Sequence, residues 1–297
     1  MSNPIMNSVA RDLVKNTPAG YPQMPGYQPG ATADAATQMP RYNPADKEVT
    51  VEELNEAYFA PSADAVDTGR LTYDDIITKT GMLFGIMLLA TAVSWSISSV
   101  NLNLGGALTM GSGLVGVGLV LMNSFKKKIS PALIIAYAVV EGAFLGGFSY
   151  IMETMYPNVA IQGVIATVAV FATMLILFRS GKVRYSAKMA QILMIGTGGI
   201  FLYYMLNLVL QLTGVVSNPF GLSGITVFGF PLGIVIGLVA IGLGAFSLVG
   251  DFHIARYGVE NGAPKVFAWQ IAFGIMVTVV WLYVEIVRLL AILQSND

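Results

Sequence analysis

The spacing of charged residues limits what this chain can fold into more than any other feature. Lys79 and Lys126 enclose 46 residues without a charge, and Lys188 and Asp251 enclose 62. A helix rises about 1.5 Å per residue and a bilayer's hydrocarbon core is about 30 Å thick, so each stretch is long enough for two crossings. Composition agrees: 55% of the residues are hydrophobic and 11% charged, with a mean hydropathy of +0.68, which excludes an ordinary soluble domain. The expected fold class is an all-α integral membrane protein, a seven-transmembrane helix bundle with a disordered N-terminal tail.

Seven segments meet the length criterion of about 20 apolar residues. They lie near Thr80 to Ser99, Leu104 to Met122, Pro131 to Tyr150, Val159 to Phe178, Gln191 to Leu212, Val227 to Asp251 and Trp269 to Leu293. Polar or helix-breaking runs separate them, among them Asn101-Leu-Asn103, Tyr156-Pro-Asn158 and Asn218-Pro219. Residues 80–293 therefore form the membrane domain. Residues 48–79 read as a short amphipathic helical lead-in, because Thr50 with Glu53 and Thr72 with Asp75 are capping-box pairs. Residues 1–47, with Pro18, Pro22, Pro25, Pro29, Pro40 and Pro44 among Gly, Gln and Tyr, lack the apolar surface to form a core. No basic, then apolar, stretch opens the chain, so the first span is expected to serve as its own insertion signal.

Positive residues in short loops stay on the cytoplasmic side. Lys126, Lys127 and Lys128, then Arg179, Lys182, Arg184 and Lys188, then Arg256 and Lys265 all fall in the even-numbered connections, and the odd ones have no Lys or Arg. Fifteen of the 16 basic residues thus lie on the N-terminal side, Arg288 being the exception. The expectation is a multi-pass protein of the cell (inner or plasma) membrane with a cytoplasmic N-terminus and an external C-terminus. Its partner is the lipid bilayer, and the tail is a candidate contact for other membrane proteins. The charge pattern offers no nucleic-acid surface.

Ionisable groups inside spans are costly and are functional candidates. Glu141, Glu153, Asp251, Glu285 and Arg288 are such groups. The helical rise puts Glu141 about 15 Å beyond Pro131, Glu285 about 12 Å from the outer interface and Asp251 about 8 Å from the inner one. Arg288, three residues after Glu285, shares its helix face, so the two can form an internal ion pair. Glu153 reads as a solvated carboxylate near a span end. His253, the single histidine, reads as an interfacial residue. With zero cysteines and one histidine, thiol chemistry and multi-histidine metal centres are excluded.

Leu248-Val-Gly-Asp251-Phe-His-Ile254 and Trp281-Leu-Tyr-Val-Glu285-Ile-Val-Arg-Leu-Leu290 resemble the last two spans of the Bax inhibitor-1 family, and Tyr137-Ala-Val-Val-Glu-Gly-Ala-Phe-Leu-Gly146 resembles the third span of its bacterial members. The resemblance covers about residues 72–293. It implies a pH-sensitive cation leak, chiefly for calcium, in which an acid of the sixth span and one of the seventh share a proton. On this chain those acids are Asp251 and Glu285, with Glu141 expected on the same path. Ca²⁺ and H⁺ are the ions to consider, with calcium held only transiently at Asp251 and Glu285, and no tight metal site or other cofactor is expected. The chain differs from the family pattern in carrying Glu at position 285, Arg at 288 and no arginine in its second span. Arg288, His253, Lys126, Lys127 and Lys128 are therefore the candidate modulators.

Two other classes compete. Gly221-Leu-Ser223-Gly224 matches the rhomboid nucleophile motif, but serine needs a nearby base. His253 lies about 45 Å further along a helix, so no enzyme is expected. A secondary transporter would typically show internal repeats, and no convincing one is visible. The alternatives that stay open are a membrane scaffold or regulator binding other membrane proteins or proteases, through the tail or the bundle, and a secondary transporter.

Overall fold

The computed structural model describes residues 69–126, 128–216, 221–227 and 229–295. The expected tail and the first capping box lie outside them. Seven helices are long and apolar enough to cross a membrane: α1 Tyr73–Val100, α2 Leu102–Phe125, α3 Pro131–Met155, α4 Val159–Arg179, α5 Ala187–Leu212, α6 Leu232–Glu260 and α7 Phe267–Gln294. Between α5 and α6 lie a short 3₁₀ turn, Gly221–Gly224, and a two-stranded ribbon of β1 Thr226–Val227 and β2 Phe230–Pro231. The fold is the expected helical membrane bundle.

Local chemistry explains the helix starts. Thr72 Oγ1 accepts from the Asp75 N–H at 3.1 Å while the Thr72 N–H donates to Asp75 Oδ2 at 3.3 Å, a full capping box. Asp75 also meets Lys265 Nζ at 2.9 Å, and the Leu71 N–H donates to the Ala263 carbonyl at 2.8 Å. The entry to α1 is thereby clipped to the α6–α7 connection. Asn101 caps α2 and Ser186 caps α5 through their side chains, and Pro131 opens α3 where its missing N–H costs nothing.

Two boundaries differ from expectation. α1 begins at Tyr73 rather than Thr80, because the acids of its first turn suit the helix N-terminus. α6 begins at Leu232, after the ribbon, and continues nine residues past Asp251 to Glu260. It stops where Asn261-Gly262 breaks the pattern, Gly262 taking φ 62°. Asp251 is therefore about 14 Å from that helix end.

α7 is the central element, packed against α1, α3, α4 and α6, with Ala268, Ala272, Met276, Leu282, Val287 and Ala291 fully enclosed. In lipid such packing rests on close fit rather than on exclusion of water. The α1–α3 contact shows this: an added Cβ at Gly142 or Gly146 would run into the Met87 or Thr91 carbonyl, and at Gly146 it would sit 2.8 Å from Ser94 Cβ. Ser94 Oγ uses that proximity to donate to the Ala143 carbonyl at 2.6 Å. α5 is the opposite case. It packs on α6 and on the 3₁₀ turn, and Ile200 is its one buried residue.

Candidate functional site

The six connections put three basic loops, α2–α3, α4–α5 and α6–α7, at one end of the bundle; this is called the basic end below. Asp251, on α6, is partly buried and accepts a hydrogen bond from Thr278 Oγ1 of α7 at 2.7 Å. Gly274, one turn before Thr278, leaves room for the carboxylate, since a Cβ there would lie 3.3 Å from Asp251 Oδ1. Asp251 lines an open cleft of about 660 Å³ between α5, α6 and α7. Thr197, Ser247 and Thr278 add hydroxyls to its wall, Tyr185 of the α4–α5 connection stands at its basic end and Phe201 toward the other. One carboxylate with nearby hydroxyls can dwell on a passing hard cation through oxygen contacts, but it falls short of the six to eight oxygens of a calcium cage.

Glu285 occupies a second, separate place. It is only 3% exposed. The Tyr204 hydroxyl, on α5, donates to its carboxylate, 2.7 Å from Oε1 and 2.8 Å from Oε2, and Arg288 Nη2 donates to Oε2 at 3.0 Å. Arg288 Nη2 also donates to the Tyr204 oxygen, and its guanidinium lies 4.3 Å from the Tyr204 ring centre. These three side chains close on one another, and the internal ion pair anticipated for Glu285 and Arg288 is present. Arg288 Nε is buried and has no hydrogen bond among the described residues.

Asp251 and Glu285 are not in contact. Thr278, the partner of Asp251, precedes Glu285 by seven residues, which sets the two acids about 10 Å apart along α7. In this conformation they do not share a proton through a common hydrogen bond, contrary to what the family resemblance implies. Glu141 does not line the Asp251 cleft. Its Oε2 faces α2, 2.8 Å from where a Gly116 Cβ would be, with Tyr137 as hydrogen-bonding neighbour. The buried cluster of Tyr137, Phe273 and Met276 lies on the α7 side of α3. Helix depth follows from sequence counting, whereas the face a carboxylate takes depends on tertiary packing.

The remaining candidates are peripheral. Glu153 caps α4, accepting from the Asn158 N–H at 2.7 Å and the Ala160 N–H at 3.0 Å. It is therefore a helix-dipole partner and not merely a solvated acid. His253 stacks on Tyr185 with ring centres 5.2 Å apart, beside the mouth of the Asp251 cleft. Lys126 and Lys128 are exposed and make no ion pair among the described residues; Lys127 lies outside them. Ser223 is buried, with its hydroxyl 2.8 Å from that of Tyr203, and no histidine approaches it. Among the described residues no group of three His, Cys, Asp or Glu side chains converges as a metal site.

Sequence reasoning missed Tyr204 and Thr278. The available signal was faint: a tyrosine within a span needs a partner for its hydroxyl, and Thr278 lies two turns from Glu285 on α7.

The fold and these sites define a multi-pass helical membrane protein with carboxylates held at two levels of its core. The family model described as Bax inhibitor 1 like matches residues 5–295 of the chain, which therefore belongs to that family. No curated protein matches it significantly.

Proposed function

We propose that the protein is a pH-sensitive cation leak whose main permeant ion is calcium, with its basic loops and N-terminus cytoplasmic and its C-terminus external. The observation that carries this reading is a carboxylate, Asp251, at the wall of a hydroxyl-bearing cleft whose lining includes Tyr185 of the α4–α5 connection. Asp251 is the station that draws a cation into the core. The Glu285–Arg288–Tyr204 cluster, about 10 Å further along α7, is the barrier beyond it. Tyr204 ties α5 across the path at that level through its bonds with Glu285 and Arg288.

The pH response follows from the two charges. Ionised Glu285 attracts Arg288 and accepts from Tyr204, so it holds the barrier closed. Protonating it removes the counter-charge and weakens both contacts, and flux rises as pH falls. Protonating Asp251 discharges the station and lowers flux. The pH profile is thus set by two opposed steps, one assigned to each residue.

Calcium influx into proteoliposomes, followed over a pH series, tests the assignment. Glu285→Gln should conduct at neutral pH and lose the acid-activated limb, and Asp251→Asn should lose most of the flux at every pH. If both variants, folded and reconstituted as well as the parent, kept the parental profile, the reading would be wrong. An absence of parental flux across the whole series would count equally against it.

A further inference from the structure

A second cavity, of about 610 Å³, lies away from both acids. α1 and α4 form its walls, α6 and α7 its floor, and its surface is almost wholly hydrocarbon, with Phe171 and Ile275 among the lining residues. That volume is within the roughly 300–1,000 Å³ of ordinary small-molecule sites. Two polar features break the pattern. Thr80 Oγ1, on α1, is buried in the wall and has no hydrogen-bond partner among the described residues. Arg256, on α6, stands at the rim toward the basic end. Its Nε is taken by Glu260 at 2.6 Å, while its two terminal amino groups carry no hydrogen bond among the described residues.

We infer that this slot holds one acyl chain of an anionic glycerophospholipid, with the phosphate on Arg256 and an ester carbonyl accepting from Thr80. Charge and spacing both argue for that occupant. Thr80 is seven residues into α1 and Arg256 four residues from the end of α6, so their depths differ by roughly 4–5 Å, about the length of a glycerol unit. A zwitterionic lipid offers the same phosphate but brings its cationic head group beside the guanidinium, and a bare hydrocarbon leaves the Thr80 hydroxyl orphaned in an apolar wall. Basic rims between membrane helices are a recognised setting for anionic head groups.

Gly81 makes the slot testable without cutting into the packed core. It lines the cavity, and an added Cβ there meets nothing within 4 Å. Leucine is also the better helix former, so Gly81→Leu fills the space while favouring α1. The full chain, purified in mild detergent, is offered phosphatidylglycerol and phosphatidylcholine in equal amounts, and retained lipid is counted by native mass spectrometry. The expected result is one phosphatidylglycerol per chain, preferred at least fivefold over phosphatidylcholine. Gly81→Leu should lower retention at least fivefold, and Arg256→Gln should erase the preference while the slot still accepts a chain. Thr80→Val, which keeps the side chain's shape, should also lower retention and serves if Gly81→Leu does not fold. Equal retention of both lipids by the parent, or undiminished retention by a folded Gly81→Leu or Thr80→Val protein, overturns the inference.

Discussion

Tyr204→Phe is the most informative single change, because it removes one hydroxyl and leaves the rest of the barrier in place. That hydroxyl donates to Glu285 at 2.7 Å and 2.8 Å and accepts from Arg288. Hydrogen bonds to charged groups contribute about 1.5–3 kcal/mol net. The Glu285–Arg288 contact at 3.0 Å survives, since both residues are on α7. The phenyl ring also keeps the guanidinium stack, worth about 0.5–1 kcal/mol. What disappears is the polar link between α5 and α7. If that link exists only in the closed form, the closed–open equilibrium moves by its full value, and at 1.4 kcal/mol per tenfold this is about 10- to 100-fold. The assay is calcium entry into proteoliposomes carrying a trapped fluorescent indicator at neutral pH, where the parent is mostly closed. Expected is a flux increase of at least tenfold. A folded Tyr204→Phe protein with a flux within twofold of the parent would refute the argument that α5 is latched here.

Arg288→Gln strips the cation from a carboxylate that is 3% exposed, and breaking a buried pair costs about 3–5 kcal/mol. Thermal unfolding in detergent should show a large loss at pH 8 and a smaller one at pH 5, because a protonated Glu285 needs no counter-charge; equal losses at both would argue against the pair. Reporters placed after Asp297 and within the α4–α5 connection between Arg179 and Lys188 should label opposite faces of the membrane, with the connection cytoplasmic. Labelling on one face would mean that a helix does not cross.

The seven helices were legible because long charge-free runs have few alternatives in lipid, where backbone groups must be satisfied within the segment. Their ends were not legible, for an instructive reason. Taking a charge as the membrane edge placed the end of α6 at Asp251, but a helix stops where its backbone hydrogen bonding fails, here at Asn261 and Gly262. The same distinction separates the readable half of the site from the rest. Asp251, Glu285 and Arg288 stood out as charges where charge is expensive, and counting residues set the two acids about 10 Å apart in depth. Tyr204 and Thr278 did not stand out, because tyrosine and threonine are ordinary in spans and only the packing of α5 and α6 on α7 gives them partners. Glu141 shows the limit of counting most clearly: counting gives a position along α3, and its face, toward Gly116 of α2, could come only from how α2 and α3 meet.

The uneven packing of the bundle suggests why a barrier would be built from Tyr204 at all. α7 is enclosed by four helices, and α1 meets α3 backbone to side chain at Gly142 and Gly146, so neither can shift without losing many dispersion contacts at once. α5 has no comparable anchor. Its polar ties to the rest of the bundle include the Tyr203–Ser223 contact, the Asn207 Oδ1 that accepts from the Leu222 N–H at 2.7 Å, and the Tyr204 link to Glu285 and Arg288. The first two bind α5 to the 3₁₀ turn that precedes α6; the Tyr204 link joins it to α7 and depends on charge. An element held mainly by contacts at one end and by a charge-dependent link along its length can swing about the first when the second is neutralised. Protonation of one buried carboxylate would then loosen the link between α5 and α7, leaving α5 held by the 3₁₀ turn and by its packing on α6, as at Gly196 against Leu243.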